Sequence, residues 1–349
     1  MVNNEISSHV LTIGCDYKVT KGGISSVIDS YSRIYSPFNF VATTQTKSKL
    51  QNLLYLIYSL VKFTFKCFSR NIKIVHIHTA SNTSFKRKAI YINIASFFKK
   101  NIVLHIHGGE FHLFYEKNRA FVAKTLKKVD TIIALSSKWK KFFEENVGCK
   151  NVVIIPNIVD TPVIVDNKNK SVISGIFLGN MNKKKGIYDI IDMVNANKEY
   201  LRGKLTLHIG GNGETDKVQD LINKNNLSDI IIYEGWVDKE KRAELLSNGD
   251  FFLLPSYNEG LPISILEAMS YKLPVISTPV GGIPEIVSEG CNGFLIEPGD
   301  KVSLFNAIKK IIEKKCDIEE MGKESFNRVQ PHLPNNVSNS LTNIYKQYL

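Results

Sequence analysis

Phe251-Phe252-Leu253-Leu254-Pro255-Ser256-Tyr257-Asn258-Glu259-Gly260-Leu261-Pro262-Ile263-Ser264-Ile265-Leu266-Glu267-Ala268-Met269 strings three kinds of local structure together. Phe251–Leu254 is a short apolar run, which reads as a strand buried on both faces. The Ser-Tyr-Asn turn and Gly260 break it. Pro262 suits the first turn of a helix, where its missing N–H is not needed. Strand, glycine-bearing loop and helix in that order are half of a β-α-β unit. Glu259 falls on the loop, and Glu267 is expected about two turns into the helix. The loop and the helix N-terminus offer backbone N–H groups to an anion. Two carboxylates flanking such a place suit sugar hydroxyls. The plainer reading makes Glu259 a cap and Glu267 a solvated helix residue.

The same rhythm runs outward in both directions. Toward the C-terminus, Pro274–Ser277 leads to the Gly281-Gly282 turn. Toward the N-terminus, Ile230–Tyr233 leads to Glu234-Gly235, Leu205–Ile209 to Gly210-Gly211-Asn212-Gly213, and Ile173–Leu178 to Gly179. Residues 161–171 are loose and polar and read as a linker. Before them lie Val10–Ile13 ahead of Gly22-Gly23, Ile72–Ile77 ahead of His78-Thr79, Ile102–Ile106 ahead of His107-Gly108-Gly109, Thr131–Leu135, and Val152–Ile155. With helical patterns between them, the fold class is α/β: two doubly wound, Rossmann-like domains, residues 1–160 and 172–334, facing a central cleft. Residues 335–349 are helical in pattern and are expected to cross back to the first domain. Ligands of such sheets bind beyond the carboxyl ends of the strands, so the residues just after each strand are the place to look for chemistry.

The 349 residues, 43% of them hydrophobic, supply two cores and exclude a disordered or collagen-like chain. Five scattered cysteines form no C-x-x-C pair, which fits a reducing compartment. Residues 1–14 have no basic flank and only a short apolar run, so no signal peptide is expected. The net charge of +12 is unevenly placed. Residues 1–160 hold 23 Lys and Arg against 9 Asp and Glu, a net of +14, whereas the rest of the chain is close to neutral. That asymmetry points to an anionic partner for the first half; the plainer reading is solubility by lysine. Leu53–Phe68 is strongly apolar and too short to span a bilayer. Lys62, Lys66 and Arg70 recur every four residues along it and would mark one face of a helix lying in a membrane surface. Lys86-Arg87-Lys88 and Lys99-Lys100 add to the basic character. A core helix with one solvated face is the alternative.

Glu259-x7-Glu267 within E-G-L-P-x-x-x-L-E-A-M resembles the signature of the retaining GT-B glycosyltransferases of the GT4 group (glycosyl transferases group 1). The resemblance extends to Gly22-Gly23-Ile24, His107-Gly108, Ile155-Pro156-Asn157 with Asp160, Gly179 with Lys185-Gly186, and Gly281-Gly282-Ile283-Pro284-Glu285. It implies transfer of a sugar from a nucleotide diphosphate donor, uridine favoured over guanosine, to a glycan acceptor, with retention. The second domain would hold the donor and the first the acceptor. It also implies roles: Glu259 on the donor sugar's hydroxyls, Glu267 on the ribose, and the amides of Gly260 and Leu261 near sugar and diphosphate. Lys185 would lie on the phosphates, Gly22 and Gly23 would let backbone amides approach them, and His107 would lie at the reacting centre. Catalytic work would fall to His107, Glu259 and Lys185.

One position departs from that pattern. Asn180 stands where the group usually has an arginine on the diphosphate, so Lys183, Lys184 or another basic residue reaching in would have to supply the charge. A catalytically weak or silent sugar-nucleotide binder is therefore the alternative, with a basic nucleic-acid-binding protein behind it. The chain lacks an RNA-recognition motif or zinc module, and no nucleic-acid partner is expected. No Asp-x-Asp pair is present to hold a divalent ion on a diphosphate, so no metal and no cofactor are expected. His105 and His107 alternate on one strand, as His76 and His78 do on another. His107 closes its strand at two glycines, His78 is an acceptor-side candidate, and His76 and His105 read as packing residues. Taken together, these features lead to the expectation of a cytoplasmic enzyme, peripheral on the inner face of an anionic membrane, that builds a polysaccharide on a lipid-linked acceptor.

Overall fold

The structure is a computed structural model that describes all residues except 1, 21, 46–48, 163–171 and 315, and not the side chains of 49 and 50. The expected linker lies almost wholly outside the described residues. Two compact units divide the chain: Met1–Val159 with Pro331–Leu349, and Asp160–Gln330.

The first unit holds β1 (Val10–Gly14), β2 (Asn39–Ala42), β3 (Ile74–Thr79), β4 (Asn101–Ile106), β5 (Thr131–Ala134) and β6 (Val152–Ile154). They form one parallel sheet in the order β2-β1-β3-β4-β5-β6. The second unit holds β7 (Ile173–Leu178), β8 (Leu205–Gly210), β9 (Ile231–Tyr233), β10 (Phe251–Leu254), β11 (Val275–Ser277) and β12 (Gly293–Leu295). Its parallel order is β12-β11-β10-β7-β8-β9. Helices follow the strands, as parallel pairing requires. The order reverses between β1 and β3 in the first sheet and between β7 and β10 in the second. Loops leaving adjacent strands part at these points and open a crevice in each unit.

The strands are apolar because both faces are covered. Every residue of β1, β3, β5 and β10 is buried, and each fully buried Ile, Leu or Phe contributes on the order of 1.5–3 kcal/mol. Two strands have no run long enough to read in the sequence. β2 is Asn-Phe-Val-Ala and β12 is Gly-Phe-Leu, both at sheet edges, where one neighbour suffices. β3 begins two residues later than its apolar run suggests and continues through His78 and Thr79, which pair with His105 and Ile106.

Residues Pro331–Leu349 belong to the first unit. The helix Pro334–Tyr345 buries Val337, Leu341 and Tyr345 there. The Tyr345 hydroxyl meets the Tyr35 hydroxyl and lies 2.6 Å from Nδ1 of His76.

The apolar segment after β2 is a helix over Lys49–Phe68. It stops before Arg70, so Lys62, Lys66 and Arg70 do not form one helical stripe as expected. Phe63 and Cys67 face the core, as does Ser59, whose hydroxyl accepts from Tyr91 at 2.8 Å. The outward face is apolar: Leu54, Ile57, Tyr58, Val61, Phe65 and Phe68 are each more than half exposed, and Phe97 on a following helix is 80% exposed.

Candidate active site

In the second unit the site grows from the crevice between β7 and β10. After β7 the chain makes a tight turn at Lys183–Lys185, capped by the Asn182 side chain on the Lys185 amide. Gly186 closes the turn at φ 75°, and a Cβ there would lie 2.2 Å from the Pro255 carbonyl oxygen. The turn is thereby pressed onto the loop after β10, and the Tyr257 amide donates to the Lys184 carbonyl at 2.8 Å. This places Lys185 Nζ directly on Glu259 Oε1. Ser256 Oγ donates to the same oxygen at 2.8 Å. The Glu259 side chain is only 9% exposed and that of Lys185 28%, so the pair sits at a partly water-shielded rim where charge interactions are stronger than in bulk water.

The loop holding Glu259 is fixed from behind by the Gly281-Gly282 turn. Gly281 has φ 62°, and a Cβ on it would lie 2.0 Å from the Glu259 carbonyl. The Gly282 amide donates to the Gly260 carbonyl at 2.6 Å. Pro262 is the N-cap of the helix Ile263–Ser270, so Glu267 lies little more than one turn in, closer to the loop than the expected two turns. Its carboxylate pairs with Arg242 at 3.1 Å. Burial raises the Glu267 carboxyl above the ordinary range, and Arg242 opposes that rise. Each signature carboxylate therefore has its own cation, Lys185 from the turn after β7 and Arg242 from the helix Lys239–Asn248. Arg242 carries no signal in the sequence, because its partner lies 25 positions away in a different element.

Asn180 is tied into its own loops. Its Oδ1 accepts from Asn182 at 2.7 Å, and its Nδ2 donates to Asn212 Oδ1 at 3.1 Å. The Gly210-Gly211-Asn212-Gly213 run serves this same contact. Gly211, at φ 148°, approaches the Gly179 carbonyl, and the Met181 amide donates to the Asn212 carbonyl at 2.6 Å.

In the first unit Gly22, at φ 143°, caps the helix Gly23–Ile34 and accepts from Ser25 Oγ at 2.6 Å. His107 follows β4, and its amide donates to the Thr79 carbonyl at 2.8 Å. His107 Nε2 lies 3.0 Å from His78 Nδ1. Burial pushes the His107 imidazole down to about 4, with an Asn157 hydrogen bond opposing, so the ring is neutral near pH 7. His78 is 1% exposed, and it reaches the His107 end of the strands only through that bond.

His76 and His105 are wholly buried, and burial holds both rings neutral. The ring nitrogens of His76, His78 and His105 come within 4.8 Å of one another, a spacing that brings a metal ion to mind. The His76 ring stacks on those of His78 and His105, with centroids 4.5 and 5.7 Å apart. Tyr31 packs edge-on against His78.

Comparison with known proteins accords with these two crevices. Residues 163–328 match the family model of the glycosyl transferases group 1, and residues 38–162 match that of Glycosyltransferase Family 4. An uncharacterized glycosyltransferase of Methanocaldococcus jannaschii is 30% identical over 236 residues, which cover 62% of this chain and 60% of that protein. An uncharacterized 41.2 kDa protein in the cps region of Klebsiella pneumoniae is 25% identical over 99% of this chain and 94% of its own length. The crystal structure of Anabaena HepE in complex with UDP superposes with a TM-score of 0.77 at 15% identity, covering 97% of this chain and 99% of that one. The two family models adjoin at residues 162 and 163 and together span residues 38–328, which include the whole β7/β10 crevice and β3 to β6 of the first sheet: the chain belongs to the group 1, GT4-type glycosyltransferases, of GT-B fold.

Proposed function

We propose that this protein transfers a sugar, with retention and without a metal ion on the diphosphate, from a nucleotide diphosphate sugar, with uridine favoured as its base, to a lipid-linked glycan acceptor at an anionic membrane surface during polysaccharide synthesis. The observation that carries the reading is the Lys185–Glu259 pair at the β7/β10 crevice, with Ser256 on the same carboxylate oxygen. A cation and a carboxylate held together match the two charges that glycosyl transfer develops. Lys185 meets the departing diphosphate, and Glu259 orients the hydroxyls of a sugar that becomes oxocarbenium-like. The amides of Gly260 and Leu261 face the same ligand, and Glu267, held by Arg242, takes the ribose. Neutral His107 serves the sugar from the first unit as a hydrogen-bond partner rather than as a charge. Asn180 orders the loop in place of an arginine and leaves the diphosphate to Lys185.

The membrane half of the reading rests on the helix Lys49–Phe68. Leu54, Ile57, Tyr58, Val61, Phe65 and Phe68 give this helix a water-facing apolar surface, and contiguous patches of that kind mark interaction sites. Lys62 and Lys66 border it and line an open groove of about 460 Å³ with Phe65 and Ser69. No helix among the described residues is long and apolar enough to cross a membrane. An interfacial helix fits that combination. The UDP in the HepE complex and the capsule-region setting of the Klebsiella relative support donor and pathway.

The test is transfer from a panel of nucleotide sugars to a lipid-linked acceptor, with and without EDTA. Lys185→Ala and Glu259→Ala are each expected to lower kcat at least 100-fold with an unchanged circular-dichroism spectrum, and EDTA is expected to leave the wild-type rate intact. Wild-type turnover in either folded variant, or an absolute requirement for added manganese or magnesium, would overturn the mechanism.

A further inference from the structure

Arg87 and Lys88 stand side by side on the helix Asn82–Phe97 with no carboxylate paired to either among the described residues. Lys88 is 2% exposed, and its Nζ has one partner, the Thr43 hydroxyl. That hydroxyl already donates to the Gly14 carbonyl at 2.9 Å. Arg87 is half-buried, and its Nε is shielded from water without a hydrogen-bond partner. Burial, with Arg87 adjacent, pushes the Lys88 ammonium down to about 7. A buried ammonium without a counter-charge is costly. The half-exposed Arg87 beside it adds a second cation with no carboxylate partner, so the place is suited to a negative charge brought by a ligand.

Their position says what kind. Gly14 ends β1 and Cys15 follows it, Thr43 follows β2, and Arg87 and Lys88 lie on the helix after β3, so the cations lie at the carboxyl end of the first sheet, near the strands where its order reverses. Both cations act electrostatically on the Cys15 thiol at that strand end. One turn further along the same helix, Tyr91 bonds to Ser59 of the helix Lys49–Phe68. The charges therefore lie beside the helix whose other face is bare hydrocarbon and aromatic surface. An anion that reaches them past such a surface is one carried on an apolar body.

We propose that Arg87 and Lys88, with the Thr43 hydroxyl, form an anion site in the first unit that takes the phosphate or diphosphate joining the acceptor to its lipid. This rests on the reading of a lipid-linked acceptor given above, but it is testable by binding alone, without turnover. The donor's own diphosphate offers the same chemistry from another source, and the two are separable with different probes.

Full-length wild type, Arg87→Gln and Lys88→Met would be titrated calorimetrically with farnesyl diphosphate, farnesol and UDP. Wild type is expected to bind farnesyl diphosphate at least tenfold more tightly than farnesol. Both variants should lose that difference and retain wild-type affinity for UDP. Lys88→Met should also melt above the wild type, because an unpaired buried charge has been replaced by an apolar chain of similar length. Equal binding of farnesyl diphosphate and farnesol by wild type would overturn the site. So would an unchanged difference in Arg87→Gln, which is half-exposed and tolerates the change. Variants that lose UDP instead would reassign the cations to the donor, and a Lys88→Met protein melting below the wild type would make Lys88 a structural donor to Thr43.

Discussion

Single residues decide how the donor crevice is charged. The Lys185–Glu259 and Arg242–Glu267 pairs each join a signature acid to a base from a distant segment, and each is partly shielded from water. Glu267 is the more revealing of the two acids, since burial already works against its charge and Arg242 is what offsets it. Arg242→Ala should leave that carboxylate unpaired and more readily protonated. The expected result is a rise of about tenfold in the KM for the donor, a smaller change in kcat, and a loss of about 1–2 kcal/mol in denaturant unfolding. Arg242→Lys should recover part of both. An unaltered KM in Arg242→Ala would detach Glu267 from donor binding. The acids and His107 drew notice because they sit beside punctuation, a glycine, a proline or the end of an apolar run, whereas Lys185 was named by the family resemblance alone. Arg242 was not legible, because its meaning comes from tertiary contact and no local pattern marks it.

Among elements, the helix Lys49–Phe68 departs most from its sequence reading. The lysine spacing suggested a charged stripe, whereas the helix is apolar on nearly all sides, with Ser59, Phe63 and Cys67 buried and Leu56 and Leu60 packed against the core. Periodicity finds the face that differs from the rest of a helix. It cannot say which of two apolar faces the core will take. Ile57→Ser, Val61→Ser and Phe65→Ser lie on the outward face, so together they should leave the melting temperature within a few degrees of wild type. Binding to vesicles with acidic lipid should fall by about 100-fold, at about 1 kcal/mol for each half-exposed apolar side chain withdrawn from the interface. Replacing Lys62 and Lys66 by Glu should weaken the same binding, most visibly at low salt. Wild-type protein that ignores such vesicles would return the outward face to a protein partner. The strands, by contrast, were read nearly residue for residue wherever burial on both faces made a run of four or more. β2 and β12 escaped because Asn39 and Gly293 interrupt them, whereas the equally short edge strands β6 and β9 lie in unbroken apolar runs.

At the scale of the whole molecule, the two units differ in how they meet acid. Seven of the eight histidines lie in the first unit, and only His208 is in the second. Burial holds His76 at about 3, and His107 and His332 at about 4. An unfolded chain binds protons at these rings from about pH 6.5 downward, and the folded one does not until near pH 4. Stability from them is therefore complete above pH 6.5 and falls as pH drops from 6.5 toward 4, by on the order of 3 kcal/mol for a ring held two units low. Denaturant unfolding at pH 7 and pH 5 should show the transition of the first unit moving down well before that of the second. A single transition that shifts equally for both would contradict it. The two-unit plan itself was visible in the repeated strand-and-glycine rhythm, and residues 335–349 were read as a helix, whose return to the first unit comes from the structure. That return sets an order of events during synthesis. Tyr345, which bonds to His76 in the middle of the first sheet, leaves the ribosome only after all of the second unit has emerged. The unit begun first is thus completed only after the second unit has been made, and a stop codon just ahead of Pro331 would leave the amino-terminal unit incomplete while sparing the whole of the second.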